Sequence, residues 1–230
     1  LTCYNSGDGQ ISVTSQTGGD SPYTYSLNGT NYQTSTSFTG LNAGDYTVYI
    51  KDSNGEVGST TITLTQPNKL VITVSDFTLP NCNGDSDGVI NVTSTGGTGV
   101  KQYSKDGTNY QTGTSFTGLT NGTYTLYVKD ANGCIHSVTQ TLNRTVVTTT
   151  LTGVNLTCNG AGNGSISVGT PSGGTGSGYQ VKLGSGGTYV DYNDTTYTDL
   201  SAGTYTVYVK DSNDCEYTFN KTITQPAVLD

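Results

Sequence analysis

The chain has 230 residues, of which 31% are apolar and only 11% charged, and 17 acidic side chains against 9 basic ones give a net charge of −8. With no basic surface to neutralise phosphates, a nucleic-acid partner is excluded, and no apolar run approaches the ~20 residues that span a bilayer. One histidine, no methionine and no tryptophan leave little acid–base repertoire, so a catalytic role is not expected.

One nonapeptide recurs three times: Gly44 to Asp52, Gly122 to Asp130 and Gly203 to Asp211. Its head tyrosines, Tyr46, Tyr124 and Tyr205, lie roughly 80 residues apart, a period suited to a small β domain. Within each copy Tyr-x-Val-x-Ile or its equivalent faces one way and Thr-x-Tyr-x-Lys the other. That alternation marks a half-buried strand. The chain therefore reads as repeats at 1–67, 68–144 and 145–226, with 227–230 opening a further one.

In chain order, repeat one starts at Leu1-Thr2-Cys3, turns at Asn5 to Gly9, and enters a strand over 10–14. A break at Gly18-Gly19 precedes alternating strands at 22–27, around Phe38, at the nonapeptide and at 59–65. Repeat two adds a strand at 70–74 that has no counterpart before Cys3, then repeats the plan through Cys82, Gly96-Gly97 and Cys134. Repeat three opens on a Thr-rich strand at 146–151 and carries Cys158, a Gly-rich insert at 172–187 and Cys215. Seven short strands per repeat, turn signals every eight to twelve residues and no helical period predict an all-β chain. The expected architecture is three tandem immunoglobulin-like antiparallel β-sandwich repeats in an elongated array. Leu-x-x-Gly-x-Tyr also suits a tyrosine corner, which assigns Tyr46, Tyr124 and Tyr205 to packing. Repeat one lacks its first strand, and the sequence ends on what reads as the start of another. The expectation is a window on a longer array, with upstream residues completing repeat one or, alternatively, a strand donated by a neighbouring subunit.

The order Cys, Asp/Asn-Gly-x-Ile-x-Val, Gly-Gly, Tyr-x-Tyr, Gly-Leu-x-x-Gly-x-Tyr-Thr-Val-x-Val-x-Asp-x-Asn-Gly-Cys resembles the SprB-type repeat of very large surface adhesins in gliding and related Bacteroidetes. The resemblance implies secretion by the type IX route, display outside the cell and no catalytic motif. Glu56 stands where repeat one should carry its second cysteine, and Asp214 replaces a glycine in repeat three. Five cysteines at matching places fit an oxidising compartment. Pairing within repeats, Cys82 with Cys134 and Cys158 with Cys215, is the expectation, leaving Cys3 opposite Glu56. If the two cysteines of a repeat lie at opposite ends of the sandwich, Cys3–Cys134 and Cys82–Cys215 form instead.

Other candidate sites are sparse. Asp85 and Asp87 form half of a calcium loop, but an Asx turn explains them as well, so no cofactor is expected. His136 has no partner in sequence and reads as a strand position. Eight Asn-x-Ser/Thr sequons occur, and Asp194-Thr195-Thr196 fits an O-glycosylation pattern that the family resemblance implies, with Thr195 as acceptor. Tyr49, Tyr127 and Tyr208 recur at one position and would either stack sugars or shield their sheets. The expected function is a non-catalytic stalk or fibre segment of a secreted, surface-displayed adhesin. Its partners would be neighbouring repeats of the same chain or identical subunits, with a surface polysaccharide as a further candidate. The alternatives are a glycan- or receptor-binding adhesive module and a phage or appendage fibre subunit.

Overall fold

The structure, a computed structural model, describes residues 1–228; the expected further repeat at 227–230 therefore falls partly outside the described residues. Every regular element among the described residues is a strand. Repeat one contains β1 (Gly9–Ser12), β2 (Thr24–Ser26), β3 (Ser37–Leu41), β4 (Gly44–Lys51) and β5 (Val57–Leu64). Repeat two contains β6 (Val71–Thr78), β7 (Gly88–Thr95), β8 (Gln102–Ser104), β9 (Ser115–Leu119), β10 (Gly122–Lys129) and β11 (Ile135–Leu142). Repeat three contains β12 (Leu151–Val154), β13 (Gly164–Val168), β14 (Gln180–Leu183), β15 (Val190–Asp191), β16 (Thr196–Leu200), β17 (Gly203–Lys210) and β18 (Glu216–Ile223).

The expected seven strands are therefore reached only in repeat three. Repeat one forms sheets β1-β3 and β2-β4-β5; repeat two forms β6-β7-β9 and β11-β10-β8; repeat three forms β12-β13-β16 and β15-β14-β17-β18. Gly-rich residues between β14 and β15 lengthen repeat three enough to add the extra edge strand, where repeats one and two make only the bridges Tyr25↔Gln33 and Tyr103↔Gln111. The Thr-rich strand expected at 146–151 is displaced. It makes a single bridge, Thr148↔Ser172, and regular pairing starts at Leu151. Thr149 donates its hydroxyl to the Gly169 carbonyl, diverting the ladder there.

The nonapeptide strands behave as their alternation predicts. β4 pairs β5 from Gly44↔Leu64 to Lys51↔Val57, and β17 pairs β18 from Gly203↔Ile223 to Lys210↔Glu216. Val48, Val207 and Val209 point into the core, and Val207 and Val209 join Val147, Leu156, Ile166, Val168, Val181, Leu200 and Ile223 in the core of repeat three. Each head tyrosine is half-buried and donates its phenol to the preceding loop: Tyr46 to Asn42 O at 3.0 Å, Tyr124 to Thr120 O at 2.9 Å and Tyr205 to Ser201 O at 2.9 Å. The tyrosine corner is present three times.

By its contacts the chain forms two compact units, and none of their boundaries falls between repeats. One unit holds Leu1–Ser75, Asn91–Thr114 and Thr125–Thr139; the other holds Asp76–Ile90, Ser115–Tyr124 and residues from Gln140 onward. Repeat two is shared between them, and one disulfide lies inside each.

Candidate functional site: the clasps joining successive repeats

Each repeat has an end where the chain enters and an end where it leaves. At the leaving end the first cysteine turn is tied to the outgoing chain. The Asn5 N–H donates to Gln66 Oε1 at 2.8 Å, and the Gly160 N–H to Gln225 Oε1 at 3.0 Å. At the entering end sits the turn that closes the nonapeptide, organised by the aspartate that ends it. Asp130 accepts from the Thr98 N–H at 2.7 Å and, through its other oxygen, from the Asn132 and Cys134 N–H groups at 2.9 Å. Asp211 does the same for Thr175, Asn213 and Cys215, and Asp52 for Asp20, Asn54 and Glu56. Asp130 and Asp211 are buried carboxylates whose lone pairs are used by backbone donors, which is what makes their burial tolerable. At Asp52, half-buried, such bonds, that from Asp20 foremost, hold the carboxyl below the usual range. Sequence reasoning passed over these three residues, although their recurrence at one position was the available signal.

The two cysteines of one repeat thus lie at opposite ends, and the within-repeat pairing is corrected. Cys3 bonds Cys134 and Cys82 bonds Cys215, with Cα atoms 5.8 and 5.6 Å apart and sequence separations of 131 and 133. Cys158, expected in a disulfide, is a free and exposed thiol, and Cys3, expected alone, is bonded. An amide reinforces each clasp: Asn132 donates to Thr2 O at 2.9 Å, and Asn213 to Asn81 O at 3.1 Å. Chain-entropy arguments give a loop of this length about 5 kcal/mol per bond.

The other candidates serve local structure. Asp87 accepts from the Asn81 N–H at 2.8 Å and Asp85 from the Cys82 N–H at 2.9 Å, so both act as turn acceptors. Asp8 holds the same turn in repeat one. The Ser6 hydroxyl, then that of Thr2, lowers its pKa to about 2. His136 accepts from the Ile72 N–H at 3.3 Å and so helps seat β6. Thr195 is half-buried, and its carbonyl accepts from the Val168 N–H at 2.9 Å.

The repeated tyrosines are occupied rather than presented. A Cβ on Gly29 or Gly107 would lie 3.4 Å from the ring of Tyr49 or Tyr127, so those rings pack on glycine backbone. In repeat three Lys182 sits 4.6 Å over Tyr208 and 4.5 Å over Tyr189, and its amine is 3.4 Å from Glu216. Burial, then the bond donated to Glu216, drives the Tyr189 phenol well above its usual range. This cluster was missed because the glycine insert ahead of Tyr189 obscures its match to Tyr32 and Tyr110, whose rings lie under Lys51 and Lys129 as that of Tyr189 lies under Lys210.

The SprB repeat family matches residues 1–31, 74–104 and 150–180. No curated protein matches the chain. Among solved structures the chain is similar to fibronectin(III)-like modules of Clostridium thermocellum CbhA, at 18% identity over 67% of this chain and 95% of that one, with a TM-score of 0.27. It is similar to extracellular domains 3–5 of Drosophila OTK at 13% identity, over 89% and 85% of the two chains, with a TM-score of 0.30. A third is Bacteroides ovatus SGBP-B in complex with a mixed-linkage heptasaccharide, at 16% identity, 98% and 65% coverage and a TM-score of 0.25. TM-scores this low carry no argument about function.

Proposed function

We propose that this chain, which carries three SprB repeats, is a load-bearing, non-catalytic segment of a surface-displayed repeat adhesin. Residues 1–67, 68–144 and 145–226 are its successive β-sandwich beads. The observation that carries this reading is the pair of clasps: covalent bonds that skip from one repeat to the next suit a segment that must transmit tension. The same bonds support secretion into an oxidising compartment. An adhesive role for these beads would need an exposed recognition surface, and the recurring tyrosines spend theirs on glycine backbone and lysine.

The test is a binding panel of bacterial and host surface polysaccharides against the purified oxidised chain. No saturable binding is expected up to ~1 mM. Saturable binding that is lost on Tyr49→Ala, Tyr127→Ala or Tyr208→Ala, with the fold intact by circular dichroism, would overturn the passive reading in favour of a glycan-binding module.

A further inference from the structure

Asparagine loses its side-chain ammonia most readily when glycine follows it, because no β-carbon shields the attacking backbone nitrogen. The chain has seven Asn-Gly pairs, and the fold restrains six of them at the glycine. Gly122 and Gly164 open strands β10 and β13, where the extended backbone keeps the nitrogen from turning towards the preceding side chain. Gly29 donates its N–H to Ser26 Oγ at 3.0 Å, and Gly55 to Asp52 O at 3.2 Å. Gly133 donates to Asp130 O at 3.0 Å, and Gly160 to Gln225 Oε1 at 3.0 Å. The seventh pair is Asn83-Gly84. Both residues are exposed, and the Gly84 N–H meets no acceptor among the described residues.

One substitution in the linker accounts for this. The second residue after the last strand is Gln66 in repeat one and Gln225 in repeat three. Each glutamine carbonyl accepts the N–H two residues beyond the first cysteine of its repeat. Repeat two has Arg144 at that place, and Gly84 is the residue two beyond Cys82. A guanidinium can only donate, and that of Arg144 turns to Pro80 O at 2.9 Å. The Gly84 N–H is left to solvent.

We infer that Asn83 is a site of spontaneous deamidation, the one Asn-Gly pair that the fold leaves open. Water or hydroxide takes the Gly84 N–H proton, and the nitrogen attacks Asn83 Cγ to form a new carbon–nitrogen bond. The bond from Cγ to Nδ2 breaks, Nδ2 takes up a proton and leaves as ammonia, and a cyclic imide remains. Water then adds to either imide carbonyl and opens the ring to aspartate or isoaspartate. No oxidant or reductant takes part.

The change matters because Asn83 holds the linker between repeats two and three. Its Nδ2 donates to Arg144 O at 2.9 Å, beside Asn121 Nδ2 at 2.8 Å, and the Arg144 N–H donates to Asn121 Oδ1 at 2.8 Å. A carboxylate at residue 83 has nothing to donate and sets an acceptor against that carbonyl. Isoaspartate also adds a methylene to the main chain beside Cys82, one half of a clasp. Deamidation thus weakens the hold on Arg144 and leaves the Gln66 tether of repeat one untouched. The inference stands whether or not the chain bears load.

Ageing the full oxidised chain at mildly alkaline pH, with peptide mass mapping over time, tests it. The amide-to-acid mass gain should appear at Asn83 roughly fivefold faster than at any other Asn-Gly pair, the rate equivalent of one hydrogen bond. In the reduced chain in denaturant the pairs should react at similar rates. Arg144→Gln, which restores the glutamine of the other repeats, should slow Asn83 to the rate of Asn159. Asn83→Asp, the product, should speed tryptic cleavage after Arg144. A folded chain in which another pair reacts first, or all react alike, overturns the inference, as does a preference for Asn83 that persists in denaturant. So does an Arg144→Gln chain that melts with the parent yet loses ammonia from Asn83 at the parent's rate. Cleavage of Asn83→Asp at the parent's rate overturns the loosening of the linker.

Discussion

Repeats one and three are built from the same nonapeptide and corner, yet they are not equally finished. In repeat three, strand β18 alternates exposed and shielded residues down to Ile223, which is 1% exposed. In repeat one the matching β5 is exposed at nearly every position, and Ile62 is 43% exposed. Val209 is buried, whereas its counterpart Ile50 is half-buried; the same holds for Val168 against Val13 and Leu200 against Leu41. The sequence of the core hardly changes between the two. What differs among the described residues is the first strand: β12 pairs with β13 in repeat three, and no described strand pairs with that edge of β1 in repeat one. Core quality in this chain is thus set by what covers a repeat as much as by the repeat's own residues.

Reduction should widen that difference most. Removing a clasp, by reductant or by paired Cys→Ser substitution, is expected to cost about 5 kcal/mol. Repeat one should then open first, so that amides of β4 and β5 exchange before those of β17 and β18. Simultaneous exchange would break the comparison. Peptide mapping without reductant should recover Cys3 with Cys134 and Cys82 with Cys215.

Alanine at the first glycine of each pair sharpens the comparison at a single position. Gly18 and Gly173 share a left-handed backbone, with φ of +77° and +87°. Gly18→Ala should cost only that strain, about 1 kcal/mol. Gly173→Ala must in addition displace the incoming segment from Val146, and a total of ~3 kcal/mol or more is expected by denaturant melts. Equal losses would show that the segment at 145–147 is not rigidly seated.

The smallest effect is in acid. The folded-state pKa of Asp8 lies below the ordinary aspartate value of 3.8, so its contribution is full above that value and fades as pH falls towards about 2. Repeat three has Asn163 at this place, donating and accepting without charge. Asp8→Asn should flatten the fall of the melting temperature between about pH 5 and pH 2. An unchanged slope would show that the turn carries no linkage. Asp106, held low chiefly by Asn109, has Asn28 as its uncharged counterpart and predicts a similar flattening on Asp106→Asn.

Much of this was legible in sequence because it is periodic. Alternation gave the nonapeptide strands, and Leu-x-x-Gly-x-Tyr gave the corner before any coordinates. Disulfide partners were not readable, since each pairing takes four of the same five cysteines and only the ends of the repeat decide between them. Asp52, Asp130 and Asp211 were hidden inside a turn signal, where a buried carboxylate looks like any Asx residue. His136 has no histidine counterpart in the other repeats and the glycine insert obscures the match of Tyr189 to Tyr32 and Tyr110, so the pattern singled out neither, and their partners Ile72 and Glu216 are distant in sequence.

The clasps also give the chain an unusual covalent topology. Because Cys82 lies between Cys3 and Cys134, and Cys134 between Cys82 and Cys215, the two closed loops overlap. Any single backbone cut between Cys3 and Cys215 falls inside at least one loop and is bridged by its sulfur link. A protease that nicks one exposed loop therefore releases no fragment, and the molecule still runs from end to end as one covalent piece.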